Sequence, residues 1–451
     1  MSNSSIVAGP LPAVPGARRP GWRTLAVLAY LSELLLFTKV RGFLGPYATP
    51  VLFYGSVVVM VVAALAALRD QPFLTELPAH SVRRVGLGAV LAGLGTLLVL
   101  NIQIPIVLSQ PIDIHASDII PAMQVYAGRF LSGEVVYRYI TAYHYPIFPV
   151  YLPAQWFPYT LALKWGIDFR WLSWGLLLLV GFGAYQLVLL RRPLDTARYA
   201  LLALLPGLVA WWMVRSDDYI FAQVLEPTII TYYFVLAASL FVRSAPLQAA
   251  AITLCMLSRY SLVFWVPFFL WLLWREVGWR YAFTVAGLVG AGIVGLYIVP
   301  FLSHDWDLFP RHTMAEYYIA AIAEWERVEQ PGALPLHLSN GLSASPWVFR
   351  LLDAYPLAVR VSWMQRLHAG ASMGVVAAVA FWYWRYGRRY DYRYVALLSL
   401  KLALGTFYFF IQVPYTYLVS VSVLLSTFVL MVVLTKQVPP GDAAVRAAKA
   451  E

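Results

Sequence analysis

Two carboxylates, Asp113 and Asp118, stand in the stretch Gln110-Pro111-Ile112-Asp113-Ile114-His115-Ala116-Ser117-Asp118, directly after a long apolar run ends. A carboxylate there, where lipid headgroups would meet water, can remove the proton of an attacking hydroxyl, which is general-base chemistry. Residue type and position leave both candidates open as the catalytic carboxylate. The structural alternative for Asp118 is to cap a helix beginning at Ile119-Ile120-Pro121, together with Ser117. Further on come Gly133, Glu134 and Tyr137, then Tyr143-His144-Tyr145-Pro146. Glu134 reads as solvated, whereas Tyr137, His144 and Tyr145 suit a surface that holds a polar substrate.

Cations suited to a phosphate are scattered along the chain. Arg259 lies between two short apolar runs, a costly place for a charge without a partner. Its bland alternative is to reach the headgroups along its own apolar stem. Arg129 and Arg138 lie in the same stretch as the carboxylates. Arg215 sits beside Asp217 and Asp218, its expected ion-pair partners. That acidic pair is a second candidate substrate contact, for acceptor hydroxyls or a divalent cation. His304-Asp305-Trp306-Asp307 and His312 have metal-ligand residue types but no further cluster, so they read as a loop start and no metal site is assigned. Glu316, Glu324, Glu326 and Glu329 read as the wet face of an interfacial helix.

The elements that must position these residues are apolar. Of 451 residues, 61% are hydrophobic and only 12% charged, against roughly a quarter charged in an ordinary soluble domain. Mean hydropathy is +0.69. Such a chain is read as an all-α, multi-pass membrane protein; the long continuous runs do not alternate as barrel strands do. The single Cys255 excludes a disulfide framework and a cysteine metal cluster. The net charge of +11 has no basic, aromatic-interleaved soluble segment behind it, so nucleic acid is set aside as a partner.

About twelve apolar segments are expected as transmembrane helices, near 25–37, 48–68, 85–108, 171–190, 199–214, 227–242, 247–258, 261–274, 282–302, 367–384, 394–411 and 416–435. The pair within 247–274 is too short for two full crossings and too long for one, so the span count is open there. With twelve spans and both termini cytosolic, 19 of the 33 basic residues fall inside, giving that face a net +12 and the outer segments −1. Treating 247–274 as one span would turn the four-arginine loop 385–393 outward. The domain reading is a disordered cytosolic tail at 1–21, one polytopic domain at 22–435 and a cytosolic tail at 436–451. Two long outer segments, about 109–170 and 303–366, contain the carboxylates, histidines and aromatics. The run 119–131 is expected as an amphipathic interfacial helix with Ile120, Met123, Tyr126, Ala127 and Phe130 on one face.

The order Asp118, Gly133, Tyr137, Tyr145-Pro146 resembles the multi-span glycosyltransferases of the GT-C superfamily, within it the family-87-like polyprenyl-phosphate-mannose-dependent transferases. Their pattern is an Asp opening the first catalytic outer loop, Gly-x-x-x-Tyr about 15 residues on, then Tyr-Pro-Pro. Ser258-Arg259-Tyr260-Ser261 and Ala222-Gln223-Val224 echo further motifs of the group. Ile147 replaces the second proline, and the chain has an extra hairpin ahead of the Asp loop. The resemblance covers roughly 109–275.

The resemblance implies a GT-C-like fold and transfer of a hexose, mannose-like, from a polyprenyl-phosphate sugar donor to a hydroxyl of a lipid-linked glycan, glycolipid or protein. It implies an outer-loop Asp as base, cations facing the departing phosphate, no nucleotide loop and an active site on the non-cytosolic face. Two other classes stay open: a transporter or flippase of a lipid-linked saccharide, and a non-catalytic membrane scaffold. The first would need polar residues along a full crossing and an internal repeat, neither of which the sequence has.

Overall fold

The computed structural model describes residues 20–38, 42–71, 82–143, 145–148, 150–328, 330 and 332–435. Among the described residues the chain is helical and has no strand; a single bridge pairs Ile140 with Ile147. Each of the twelve apolar segments contains or forms a helix. In chain order they are Pro20–Thr38, Gly45–Leu68, Val82–Ser109, Phe169–Leu190, Thr196–Ser216, Glu226–Ser239, Ala245–Met256, Trp265–Glu276, Trp279–Ile298, Leu357–Tyr386, Tyr392–Phe409 and Ser420–Leu434. Seven described helical stretches are long and apolar enough to cross a bilayer: Gly45–Leu68, Arg84–Ser109, Phe169–Leu190, Thr196–Ser216, Trp279–Ile298, Leu357–Arg389 and Thr416–Leu434. The three shortest helices, of 14, 12 and 12 residues, rise only about 18–21 Å, against a hydrocarbon core of about 30 Å.

Burial orders these helices from inside to outside. Every residue from Ser420 to Val433 is buried, as is all of Glu226–Ser239 except Val235. Helices apolar on all sides belong at the centre of a bundle. At the periphery, Leu97, Leu108, Leu179, Leu187, Phe283 and Phe381 are each more than 60% exposed. An outer surface this apolar matches lipid and not water. Helices Val82–Ser109 and Thr196–Ser216 approach most closely at Gly95 and Gly207, where a Cβ on Gly207 would meet the Gly95 Cα at 2.5 Å. The absence of both side chains is what lets the two backbones touch.

Two charges meet in the core. Lys401 Nζ donates to the Glu33 carboxylate, to the Ser422 carbonyl at 2.8 Å and to Ser422 Oγ at 2.9 Å. Ser426 Oγ donates to the other Glu33 oxygen at 2.9 Å. Both charged side chains are fully buried, and the network joins Pro20–Thr38, Tyr392–Phe409 and Ser420–Leu434.

Two boundaries differ from the sequence reading. The first helix begins at Pro20, ahead of the expected boundary at 22. The rest of that tail, and the tail from 436, lie outside the described residues. The helix expected from 367 begins at Leu357, so the second outer segment ends about ten residues early. Arg360, Gln365, Arg366 and His368 depress hydropathy there without breaking a helix. Arg360 also closes the preceding turn, donating to the carbonyls of Tyr355 at 2.7 Å and Phe349 at 3.2 Å.

The two long segments read as outer from the sequence form packed caps on the bundle. In the first, Ile120, Met123, Tyr126 and Ala127 are buried against Trp156 and Tyr159, as the helical spacing predicts. In the second, Trp325, Leu338, Phe349 and Met364 enclose a separate small core with Val413.

Candidate active site between the two outer segments

The chain leaves helix Val82–Ser109 through a turn that is tightly held. Arg170, nearly fully buried and paired with Asp168, donates to the carbonyls of Gln110 at 2.7 Å and Val107 at 3.2 Å. These are carbonyls that the helix end cannot satisfy itself. Asp113 then closes the next turn: its Oδ1 accepts from the His115 N–H at 2.9 Å, and its own N–H donates to Gln223 Oε1 at 3.2 Å.

Asp118 ends that turn. Its carbonyl accepts the Ala122 N–H at 2.8 Å, yet its side chain makes no capping bond; Ser117 Oγ accepts the Ile119 N–H at 3.3 Å instead. The carboxylate is left for two tyrosines. Tyr151 Oη donates to Asp118 Oδ1 at 3.1 Å, and Tyr145 also hydrogen-bonds the carboxylate. Burial pushes the Asp118 pKa above the ordinary carboxylate value, and the two tyrosine bonds partly offset it. A carboxylate shifted this way is a better proton acceptor than a free aspartate.

Residues from distant parts of the sequence complete the surroundings. Helix Glu316–Glu326 supplies Glu324, half-buried, whose Oε2 lies 3.3 Å from His337 Nε2. Burial raises the Glu324 pKa, Arg327 opposes that shift, and the Asp118 charge adds to it, so the two carboxylates share one field. His337 is pushed down to about 4 by burial and by Arg327 and is therefore neutral at pH 7. The turn between Tyr392–Phe409 and Ser420–Leu434 supplies Tyr415 and Tyr417, stacked with centroids 5.7 Å apart; His337 meets Tyr415 edge-on at 4.6 Å. Gly341 makes room for that turn, since a Cβ on it would lie 2.3 Å from Pro414 Cγ and 2.4 Å from the Pro414 carbonyl oxygen.

Below this group lies Arg259. Its guanidinium donates to both oxygens of Glu226, Nη1 to Oε1 at 2.7 Å and Nη2 to Oε2, and it stands 5.9 Å from the Tyr417 ring centroid. The pair is buried, 14% and 1% exposed, and has no net charge. Snorkelling does not describe Arg259: a bidentate carboxylate holds it in place. Tyr408 also hydrogen-bonds the guanidinium, which with five N–H groups keeps donors beyond those two partners.

The other expected residues are placed as follows. Arg129 donates to three backbone carbonyls, those of Val136 at 3.1 Å, Arg138 at 2.6 Å and Tyr139 at 3.0 Å, so it organises the loop. Arg138 pairs with Glu134 on the exposed side. Tyr137 accepts the Trp156 Nε1 hydrogen at 3.1 Å and belongs to an aromatic wall with Tyr126, Tyr297 and Phe301. His144 lies outside the described residues. Arg215 and Asp218 are exposed, and their region is tied to the first outer segment at Pro111 and Asp113 through Gln223. Among the described residues no group of three or more His, Cys, Asp or Glu side chains is arranged to hold a metal ion.

Sequence reasoning missed Glu226, Tyr151, Glu324, Tyr415 and Tyr417. Glu226 had one usable signal, an acid at the end of an apolar run facing a candidate intramembrane arginine. Glu324 carried a misleading one: it shares a helix with exposed Glu326, yet points inward. The chain matches no family model, no curated protein and no solved structure.

Proposed function

We propose that the protein is a membrane glycosyltransferase of GT-C type. It transfers a hexose from a polyprenyl-phosphate donor to a hydroxyl of a lipid-linked glycan, glycolipid or protein. The observation that carries the reading is Asp118, a half-buried carboxylate held by Tyr151 and Tyr145 between two outer caps. In the reaction the acceptor oxygen attacks the anomeric carbon, Asp118 takes the hydroxyl proton, and the bond from that carbon to the phosphate oxygen breaks. The polyprenyl phosphate leaves with the bonding electrons. The charge it gathers is met by the remaining donors of Arg259 and by Arg327, which is exposed beside Glu324 and His337. Tyr137, Tyr145, Tyr415 and Tyr417 supply the surface against which sugar rings are held.

In this reading all twelve helices are membrane spans, the short ones packed inside the bundle. Both termini are cytosolic and the Asp118 site lies on the non-cytosolic face. The charge bias supports that orientation. A cysteine placed in 385–393 should then label only from the cytosolic side, with Cys255 silent because it is buried; labelling from outside would overturn the orientation. For the activity, the purified protein is incubated with polyprenyl-phosphate hexoses and an acceptor extract from membranes. Sugar moved into the acceptor fraction supports the proposal. Intact donor at every sugar tested, with the protein folded, contradicts it.

A further inference from the structure

Away from the Asp118 site, at the end of the bundle where helix Gly45–Leu68 finishes, a cleft of about 580 Å³ opens on the periphery of the bundle. Its walls are Val61 and Leu65 on one side and Ala378 and Trp382 on the other, with Leu398 and Leu402 as its floor. Along Gly45–Leu68 the lining runs from Val61 to Arg69, about 12 Å of helix, close to the roughly 15 Å depth of one leaflet's hydrocarbon. The cleft is therefore as long as one acyl chain's half of the bilayer is deep.

The mouth has a different chemistry. Arg69, Trp22 and Tyr390 line it, and the Asp70 N–H donates to the Arg389 carbonyl at 2.8 Å, which pins the 387–389 turn beside it. The charged residues on the two chain segments that meet there are Arg69, Arg388, Arg389 and Arg393 against two carboxylates, Asp70 and Asp391. Those two are already engaged, Asp70 with Arg69 at 3.5 Å and Asp391 with Arg393 at 2.7 Å. Arg388 and Arg389 are exposed, so the rim keeps an excess of positive charge. Trp22 and Tyr390 are the amphipathic residues that favour headgroup depth, and a basic rim over an apolar cleft is complementary to an anionic lipid headgroup.

We propose that this cleft is a binding site for an anionic diacyl phospholipid, one acyl chain lying between Leu65 and Trp382 and the headgroup phosphate meeting Arg388 and Arg389. The test uses full-length protein in neutral detergent, given equal phosphatidylglycerol and phosphatidylcholine, with retained lipid counted by native mass spectrometry. Wild type should retain phosphatidylglycerol at least fivefold over phosphatidylcholine. The double variant Arg388→Gln/Arg389→Gln, at exposed positions, should remove the preference, and Ala378→Trp, which fills the cleft, should remove retention of the preferred lipid. Equal retention of the two lipids by wild type would overturn the proposal. So would a preference that survives both variants, or displacement of the bound lipid by millimolar glycerol phosphate, which has the headgroup and no chain.

Discussion

The ion pair under the candidate site can be tested by breaking it from each side. Glu226→Leu would leave the Arg259 guanidinium buried without its carboxylate, and Arg259→Met would leave the carboxylate buried without its cation. Two charge-assisted hydrogen bonds join them, each worth about 1.5–3 kcal/mol. Their loss agrees with the about 3–5 kcal/mol expected when one partner of a buried pair is removed. Removing both charges together has a different outcome, because no uncompensated charge remains; such replacements are often neutral. The double variant should be less destabilised than the sum of the singles by about 3 kcal/mol or more. The assay is equilibrium unfolding in mixed micelles as the fraction of sodium dodecyl sulfate rises, followed by the fluorescence of the 17 tryptophans. Single-variant losses that add to within about 0.5 kcal/mol would refute the buried pair.

Three further outcomes follow from the same geometry. Lys401→Met should cost about 3–5 kcal/mol in the same unfolding assay, and adding Glu33→Gln should recover part of it, since Glu33 then has no charge to strand. The acid limb of kcat/KM should lie above the ordinary Asp value of about 3.9, because burial favours the protonated Asp118; Tyr151→Phe removes a bond to the ionised form and should move that limb to higher pH. Gly341→Ala should lower transfer at least tenfold and also lower the unfolding midpoint, because the new Cβ would overlap the Pro414 ring and carbonyl and displace Tyr415 and Tyr417; unchanged transfer would place those tyrosines outside the site.

The sequence was most legible where the physics is local. Hydropathy located all twelve helical segments because each is set by residues next to one another in the chain. It failed at Leu357, where polar side chains lowered the average although nothing in 357–366 opposes helix formation. Helical spacing correctly identified the buried face of Ile119–Leu131 at Ile120, Met123, Tyr126 and Ala127. Phe130, at the end of the same stripe, stays 37% exposed.

The site itself depends on contacts across long separations. Asp118 could be singled out by residue type and place, but the choice between capping the helix and accepting from a tyrosine is made by Tyr151, 33 residues away. Arg259 stands out in the sequence as a costly charge, yet its partner Glu226 lies 33 residues earlier, at the start of helix Glu226–Ser239. No period in the sequence encodes such a pairing. Arg129 was misleading for a related reason: an arginine that closes a loop through backbone carbonyls has the same sequence signature as one awaiting a phosphate.

The most direct measurement compares hexose transfer from a polyprenyl-phosphate donor by wild type, Asp118→Asn and Asp113→Asn, each confirmed folded by its unfolding midpoint. Asp118→Asn is expected to lose about 10²–10⁴-fold in rate, whereas Asp113→Asn, altered only in a turn, keeps most of it. Transfer by Asp118→Asn at the wild-type rate would contradict the account.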